Sequence, residues 1–200
     1  LAGCSNEAES IGYARGINGV TGSQMWSFQV SGTSVWALAQ LDDISGDGLK
    51  DVVIGDFAGY LYALNASNGN QLWTNSIGNF IITQLVLLDD INSNGHPDIV
   101  PIQYGTIVRT LDGYDGQFIW SQAVADKPAC IARSEDVSGD GINDVFVGTL
   151  YVNNYCYFLD GVDGTTLASF PISTPVDAIA AIPDIVGDRS MEMVVGGRDG

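Results

Sequence analysis

A nine-residue pattern, Asp-x-(Ser/Asn)-x-(Asp/Asn)-Gly-x-x-Asp, begins at Asp43, Asp90 and Asp136, and a degraded copy begins at Asp184. The starts lie 47, 46 and 48 residues apart. Equal spacing means that one supersecondary unit recurs along the chain, so the fold must be an array of similar parts. A period of about 47 residues is that of a four-stranded propeller blade.

The residues between the acidic loops agree with that unit. Val35–Leu41 is an apolar run that leads into the first loop, and Val52-Val53-Ile54-Gly55 follows it. Tyr60–Leu64, the turn Asn65-Ala66-Ser67-Asn68-Gly69, and Gln71-Leu72-Trp73 complete the set. Short β-rich runs separated by Asn, Asp and Gly clusters predict an antiparallel meander. Ile99–Ile102, Val145–Gly148 and Met193–Gly196 repeat the second strand, and turns closed by Gly22, Gly69, Gly116 and Gly164 recur 47, 47 and 48 residues apart. Four residues past three of these glycines stand Trp26, Trp73 and Trp120, whereas the fourth unit has Ala168. A tryptophan repeated in this way is expected to wedge one blade against the next. The predicted fold is an all-β propeller with no long helix. About four blades are present, as units 31–78, 79–125 and 126–173 with partial units 1–30 and 174–200.

Gly3 falls at the place of Gly55, so the first unit begins within a blade and the last stops within one. Two expectations follow: the sequence is a segment of a longer propeller, or its unfinished strands pair with another copy of the chain. The opening Leu1-Ala2-Gly3-Cys4 resembles a lipoprotein cleavage box without the basic and apolar regions that precede one, and the repeat alignment explains it better. Cys4, Cys130 and Cys156 are compatible with one bridge and a free thiol, or with three buried thiols.

Each loop places oxygen donors at alternate positions around a glycine, the pattern a hard cation requires. The first predicted calcium site uses Asp43, Ser45, Asp47 and Asp51 with the Leu49 carbonyl. The second uses Asp90, Asn92, Asn94 and Asp98 with the His96 carbonyl, and the third Asp136, Ser138, Asp140 and Asp144 with the Ile142 carbonyl. Position twelve carries Ile54, Pro101 and Val147, so these are not EF-hands, which place a bidentate Glu there. Site two has two carboxylates against three in the others and is expected to bind most weakly. The fourth copy has Val186 at position three and Arg189 in place of glycine, and is expected to stay empty.

The formal charge of −17 excludes a nucleic-acid partner, and three Ca²⁺ would bring it to −11. No apolar run approaches the ~18 residues of a membrane span. His96, the single histidine, lies in a loop and is expected to face solvent, which leaves no Ser-His-Asp or Cys-His pair. Asn65-Ala66-Ser67 is a formal glycosylation sequon inside a tight turn.

The acidic loops resemble FG-GAP repeats, the calcium-binding blades of integrin α-subunit propellers and of many secreted bacterial and archaeal proteins. The blade ends, best seen in Ala63–Trp73, resemble the tryptophan-docking motif of quinoprotein-type (PQQ-like) propellers. The resemblances imply a non-enzymatic, calcium-bearing propeller at the cell surface or outside the cell, used for adhesion, assembly or recognition of a protein or glycan. The alternative is the propeller part of a secreted carbohydrate-active enzyme, a polysaccharide lyase or hydrolase. Its only candidate cluster outside the repeat is Glu9, Tyr13 and Arg15.

Overall fold

The computed structural model describes residues 2–6, 11–187 and 191–198, the first strand as backbone. Its strands form five antiparallel meanders, and no helix occurs among the described residues. The first sheet holds β1 (Ala2–Asn6), β2 (Ile11–Ile17) and β3 (Gln24–Gln29). Three four-stranded sheets follow. They are β4 (Val35–Gln40), β5 (Val52–Asp56), β6 (Tyr60–Leu64) and β7 (Gln71–Ser76); then β8 (Ile82–Leu87), β9 (Ile99–Gln103), β10 (Ile107–Leu111) and β11 (Phe118–Ala123); then β12 (Lys127–Arg133), β13 (Val145–Leu150), β14 (Tyr155–Leu159) and β15 (Thr166–Pro171). The last sheet pairs β16 (Val176–Ile182) with β17 (Glu192–Gly197).

The leading strands β4, β8, β12 and β16 lie against one another in sequence, which is the packing of propeller blades about an axis. Gly3 pairs with Ala14 as Gly55 pairs with Leu61, so β1 and β5 hold the same rank in their blades. The irregularities repeat as well. Register shifts fall at Gly16/Ile17, Ala63/Leu64, Thr110/Leu111 and Phe158/Leu159 between third and fourth strands, and at Val35/Ala37, Ile82/Gln84, Pro128/Cys130 and Val176/Ala178 in the leading strands. A bulge that recurs in frame adds the same local twist to each sheet and so belongs to the architecture.

Because every inner blade is covered on both faces, its middle strands, such as β5, β6, β9 and β13, are buried almost throughout, whereas the outer strands β7 and β11 alternate. Val53 faces the layer that holds Trp73, Ile82 and Leu111, while its neighbour Ile54 faces the layer of Trp26, Tyr62 and Leu64. Trp120, Val145 and Leu159 fill the next layer. The core is thus a series of slabs between blades. Gly55 and Gly148 serve this packing: a Cβ on either would collide with Ile82 or Val176 of the following blade's first strand. Cys130 and Cys156 are unbridged and buried in the last slab beside Val176. Cys4 carries no described side chain.

Tryptophan docking runs through the whole array. Nε1 of Trp26 donates to the Ala66 carbonyl at 2.9 Å, Trp73 to Gly113 at 3.1 Å, and Trp120 to Gly161 at 2.9 Å. Each acceptor lies in the turn between third and fourth strands of the next blade. The closing glycine of that turn lies under the indole, and a Cβ on Gly69 or Gly116 would stand 2.7 Å from a ring carbon. The expected wedge is therefore present, and its seat is a glycine.

Candidate metal loops

The acidic loops join the first and second strands of their blades, and the docking turns join the third and fourth. In a meander both emerge on the same face. Each loop therefore touches its own blade's turn, which in turn holds the preceding blade's tryptophan.

The three intact loops share one hydrogen-bond plan. At position one, Oδ2 of Asp43, Asp90 and Asp136 accepts from the N–H of Gly48, Gly95 and Gly141 at 2.7, 2.7 and 2.8 Å. At position seven, the N–H of Leu49, His96 and Ile142 donates to the side-chain oxygen of Asp47, Asn94 and Asp140. At position nine, Asp51, Asp98 and Asp144 are fully buried. Their Oδ2 atoms accept from Ile44, Ile91 and Val137 N–H within the loop, and their Oδ1 atoms from Ala66, Gly113 and Gly161 N–H in the turn. These last carboxylates tie strand, loop and docking turn together. Two backbone positions per loop are left-handed. Position six is always glycine, whereas position four is Gly46, Ser93 and Gly139, with Ser93 at φ 62°.

The electrostatics are one-sided. The donors that reach Asp51, Asp98 and Asp144 are N–H groups and a hydroxyl, with no cationic side chain among them. Burial, with Asp112 and Asp90 nearby, pushes the Asp98 carboxyl up to about 6 despite its N–H bonds. Asp136 lies below the ordinary carboxylate range, chiefly because Gly141 and Gly139 donate to it. The side-chain donors at positions one, three, five and nine are all oxygens, which suits a hard cation. Among the described residues, however, no three His, Cys, Asp or Glu side chains converge on one point that a metal could occupy. In loops one and two, position five is engaged elsewhere. Asp47 Oδ2 accepts from Asn65 Nδ2 and Ser67 Oγ, both at 2.9 Å, and the Asn92 and Asn94 amides both donate to Asp112 Oδ2 at 2.7 Å.

That engagement identifies residues the loop pattern alone misses. Asn65, Asp112 and Asp160 open the docking turns, and the latter two add carboxylates beside loops two and three; repulsion from Asp140 contributes to raising Asp160, after burial. The nine-residue pattern by itself leaves out Asp112 at site two. The signal was available, since Asn18, Asn65, Asp112 and Asp160 keep the repeat period.

Two further expectations need correction or refinement. His96 does not face solvent freely: its ring stacks on Tyr114 at 4.9 Å, and its Nδ1 is buried without a hydrogen-bond partner. The sequon is closed, because Asn65 is buried and its Nδ2 is bonded to Asp47. In the degraded loop, Glu192 takes the position-nine role by accepting from Ile185 N–H at 2.8 Å. Asp188 and Arg189, on which the prediction of an empty fourth site partly rests, lie outside the described residues. Arg15 lies over the Tyr13 ring at 5.6 Å, and Glu9 is likewise outside the described residues.

No protein-family model matches the chain, and no curated protein matches it in sequence. Solved structures match it in fold. Sqt1 of Saccharomyces cerevisiae superposes with a TM-score of 0.67 at 14% identity, over 85% of this chain and 48% of its own. BBS1N, solved in complex with ARL6DN, gives 0.63 at 12% identity over 98% of this chain and 60% of its own. The WD40 β-propeller domain of Doa1 gives 0.61 at 12% identity, over 88% and 52%. The chain spans about half the length of these structures. At such identities the likeness concerns architecture alone, and the chain has the β-propeller fold.

Proposed function

We propose that this chain is part of a non-enzymatic, calcium-binding propeller that works at the cell surface or outside the cell as a scaffold for adhesion, assembly or recognition. The observation that carries this reading is the threefold recurrence of a fully buried position-nine carboxylate, Asp51, Asp98 and Asp144, at the junction of loop and docking turn. A buried carboxylate without a countercharge is costly, and a divalent cation is the partner that the surrounding oxygens favour. Asp43, Ser45, Asp47, Asp51 and the Leu49 carbonyl would hold one ion. The corresponding sets are Asp90, Asn92, Asn94, Asp98 and the His96 carbonyl, and Asp136, Ser138, Asp140, Asp144 and the Ile142 carbonyl. Asp112 and Asp160 add negative charge at the second and third. The ion supplies charge neutralisation. The residues themselves link the loop to the turn and, through the turn, to the tryptophan of the preceding blade. Extracellular modules with such ligands bind at roughly 10⁻⁴–10⁻³ M, which suits calcium outside cells.

Thermal unfolding in millimolar CaCl₂ and in excess chelator tests the reading. At 1 mM CaCl₂, about 1–10 times those dissociation constants, each site adds about 0.4–1.4 kcal/mol to stability, so three sites together should raise the midpoint by several degrees. An unchanged midpoint, with no calcium retained on equilibrium dialysis, refutes it.

A further inference from the structure

One position on the third strand alternates along the array. It is Arg15, Tyr62, Arg109 and Tyr157 in successive blades. At the two tyrosines the phenol closes the gap to the preceding blade. Tyr62 Oη accepts from Ser31 N–H at 3.0 Å and donates to the buried Asp56, and its ring meets Phe28 edge-on at 5.3 Å. Tyr157 Oη accepts from Ala125 N–H at 2.9 Å. Both amides belong to the linker that enters the blade.

The junction before Arg109 is different. Asn75 stands where Phe28 does, and Gly78 where Ser31 does. No phenol spans the gap. A cavity of about 540 Å³ opens between Ser76–Gly78 and the outer strand residues Phe118–Ser121, with Arg109 in its wall. A smaller chamber of about 170 Å³, lined by Phe80 and Gln103 among others, shares Ile77, Gly78 and Arg109 with it. The larger volume lies in the range of small-molecule sites.

Two polar groups in these walls lack partners. Lys50, Arg133 and Arg198 form ion pairs, whereas Arg109, among the described residues, only lies over the exposed Phe118 ring at 5.9 Å. Gln103 is buried; its Nε2 donates to the Ile77 carbonyl at 2.9 Å, and its Oε1 has no donor. Buried acceptors are seldom left unpaired, and an unpaired guanidinium in a chain of net charge −17 is conspicuous. A planar guanidinium matches a carboxylate in a two-bond fork. The free acceptor calls for a hydroxyl donor, and the half-exposed rings of Phe118 and Phe80 offer an apolar platform.

We propose that this cleft binds a hydroxycarboxylate of sugar-acid size, with its carboxylate on Arg109, a hydroxyl donating to Gln103 Oε1 and its apolar face on Phe118. The cleft involves the linker and the turn after β9, on the face opposite the acidic loops, so the inference does not rest on calcium.

Titration of the calcium-supplemented protein with glucuronate, followed by amide shifts of Gly78, Gly105 and Ser121, tests it. The expected result is saturation with a dissociation constant of about 1 mM or below. Glucose, which lacks the carboxylate, and benzoate, which lacks the hydroxyls, should each bind at least tenfold more weakly. Arg109→Gln should weaken glucuronate at least tenfold. Arg109→Tyr, which restores the phenol of the neighbouring junctions, should abolish binding while keeping the native melting temperature. The proposal is overturned if glucuronate produces no saturable shifts, if Arg109→Gln binds it as well as the native chain, or if benzoate, glucose or inorganic phosphate binds equally well.

Discussion

The glycine seats of the docking tryptophans supply a test with its own internal control. Gly22, Gly69, Gly116 and Gly164 close equivalent turns with nearly identical φ values of 70, 78, 76 and 77°. Any Cβ at these positions meets the same backbone penalty, about 1 kcal/mol for an L-residue held left-handed. Their surroundings differ. A Cβ on Gly22 finds nothing within 4 Å, whereas one on Gly116 stands 2.7 Å from Trp73 Cε3 and 3.0 Å from Cδ2. Ordinary carbon contacts lie at about 3.5–4.0 Å, so the indole must retreat by roughly 1 Å. That movement strains the 3.1 Å bond from Trp73 Nε1 to Gly113 and disturbs the slab around Ile82 and Leu111. Overpacking costs about 1–3 kcal/mol and the weakened hydrogen bond about 1 more. Gly22→Ala should therefore cost about 1 kcal/mol and Gly116→Ala about 3–5. Urea unfolding followed by far-ultraviolet circular dichroism at fixed calcium reads both. With a slope of about 2 kcal/mol/M, the midpoints fall by about 0.5 M and about 1.5–2.5 M. In a Trp73→Leu background the Gly116→Ala increment should shrink to about 1 kcal/mol, since the colliding ring is gone. Equal losses at Gly22 and Gly116, or an undiminished increment without the indole, refute the docking argument.

Two further outcomes follow from single residues. Ser93 adopts a left-handed conformation where loops one and three have glycine, so Ser93→Gly should stabilise by about 0.5 kcal/mol, the relief of strain less the extra chain entropy of glycine; a loss in urea unfolding contradicts this. Burial pushes the Cys130 thiol from 9.0 up to about 12, so the folded state holds its proton where the unfolded state releases it. Stability from this thiol is intact below pH 9 and declines between pH 9 and 12, by about 1.4 kcal/mol at pH 10. Cys130→Ala should lessen the alkaline loss by that amount, and a native chain equally stable at pH 8 and 10 excludes it.

Periodicity carried most of the architecture. The recurrence of Asp43, Asp90 and Asp136, of the turn glycines and of Trp26, Trp73 and Trp120 defines a repeating antiparallel unit before any coordinates are known, because each blade must present the same groups to its neighbours. The oxygen-rich loops were legible for the same reason. What the linear pattern left out depends on which residues from separate strands come into contact. Asn65, Asp112 and Asp160 read as turn formers, and only folding places them against position five of the loops. His96 reads as a loop residue, yet the turn delivers Tyr114 onto its ring. The alternation of Arg15, Tyr62, Arg109 and Tyr157 is present in the letters, but whether a position fills a junction or opens one is set by the blade that packs against it. Local spacing therefore determined the repeated unit, since strands and turns are short-range structures. The slabs, the docking seats and the cleft were decided by tertiary packing, because each is assembled from side chains some tens of residues apart that share no local signal.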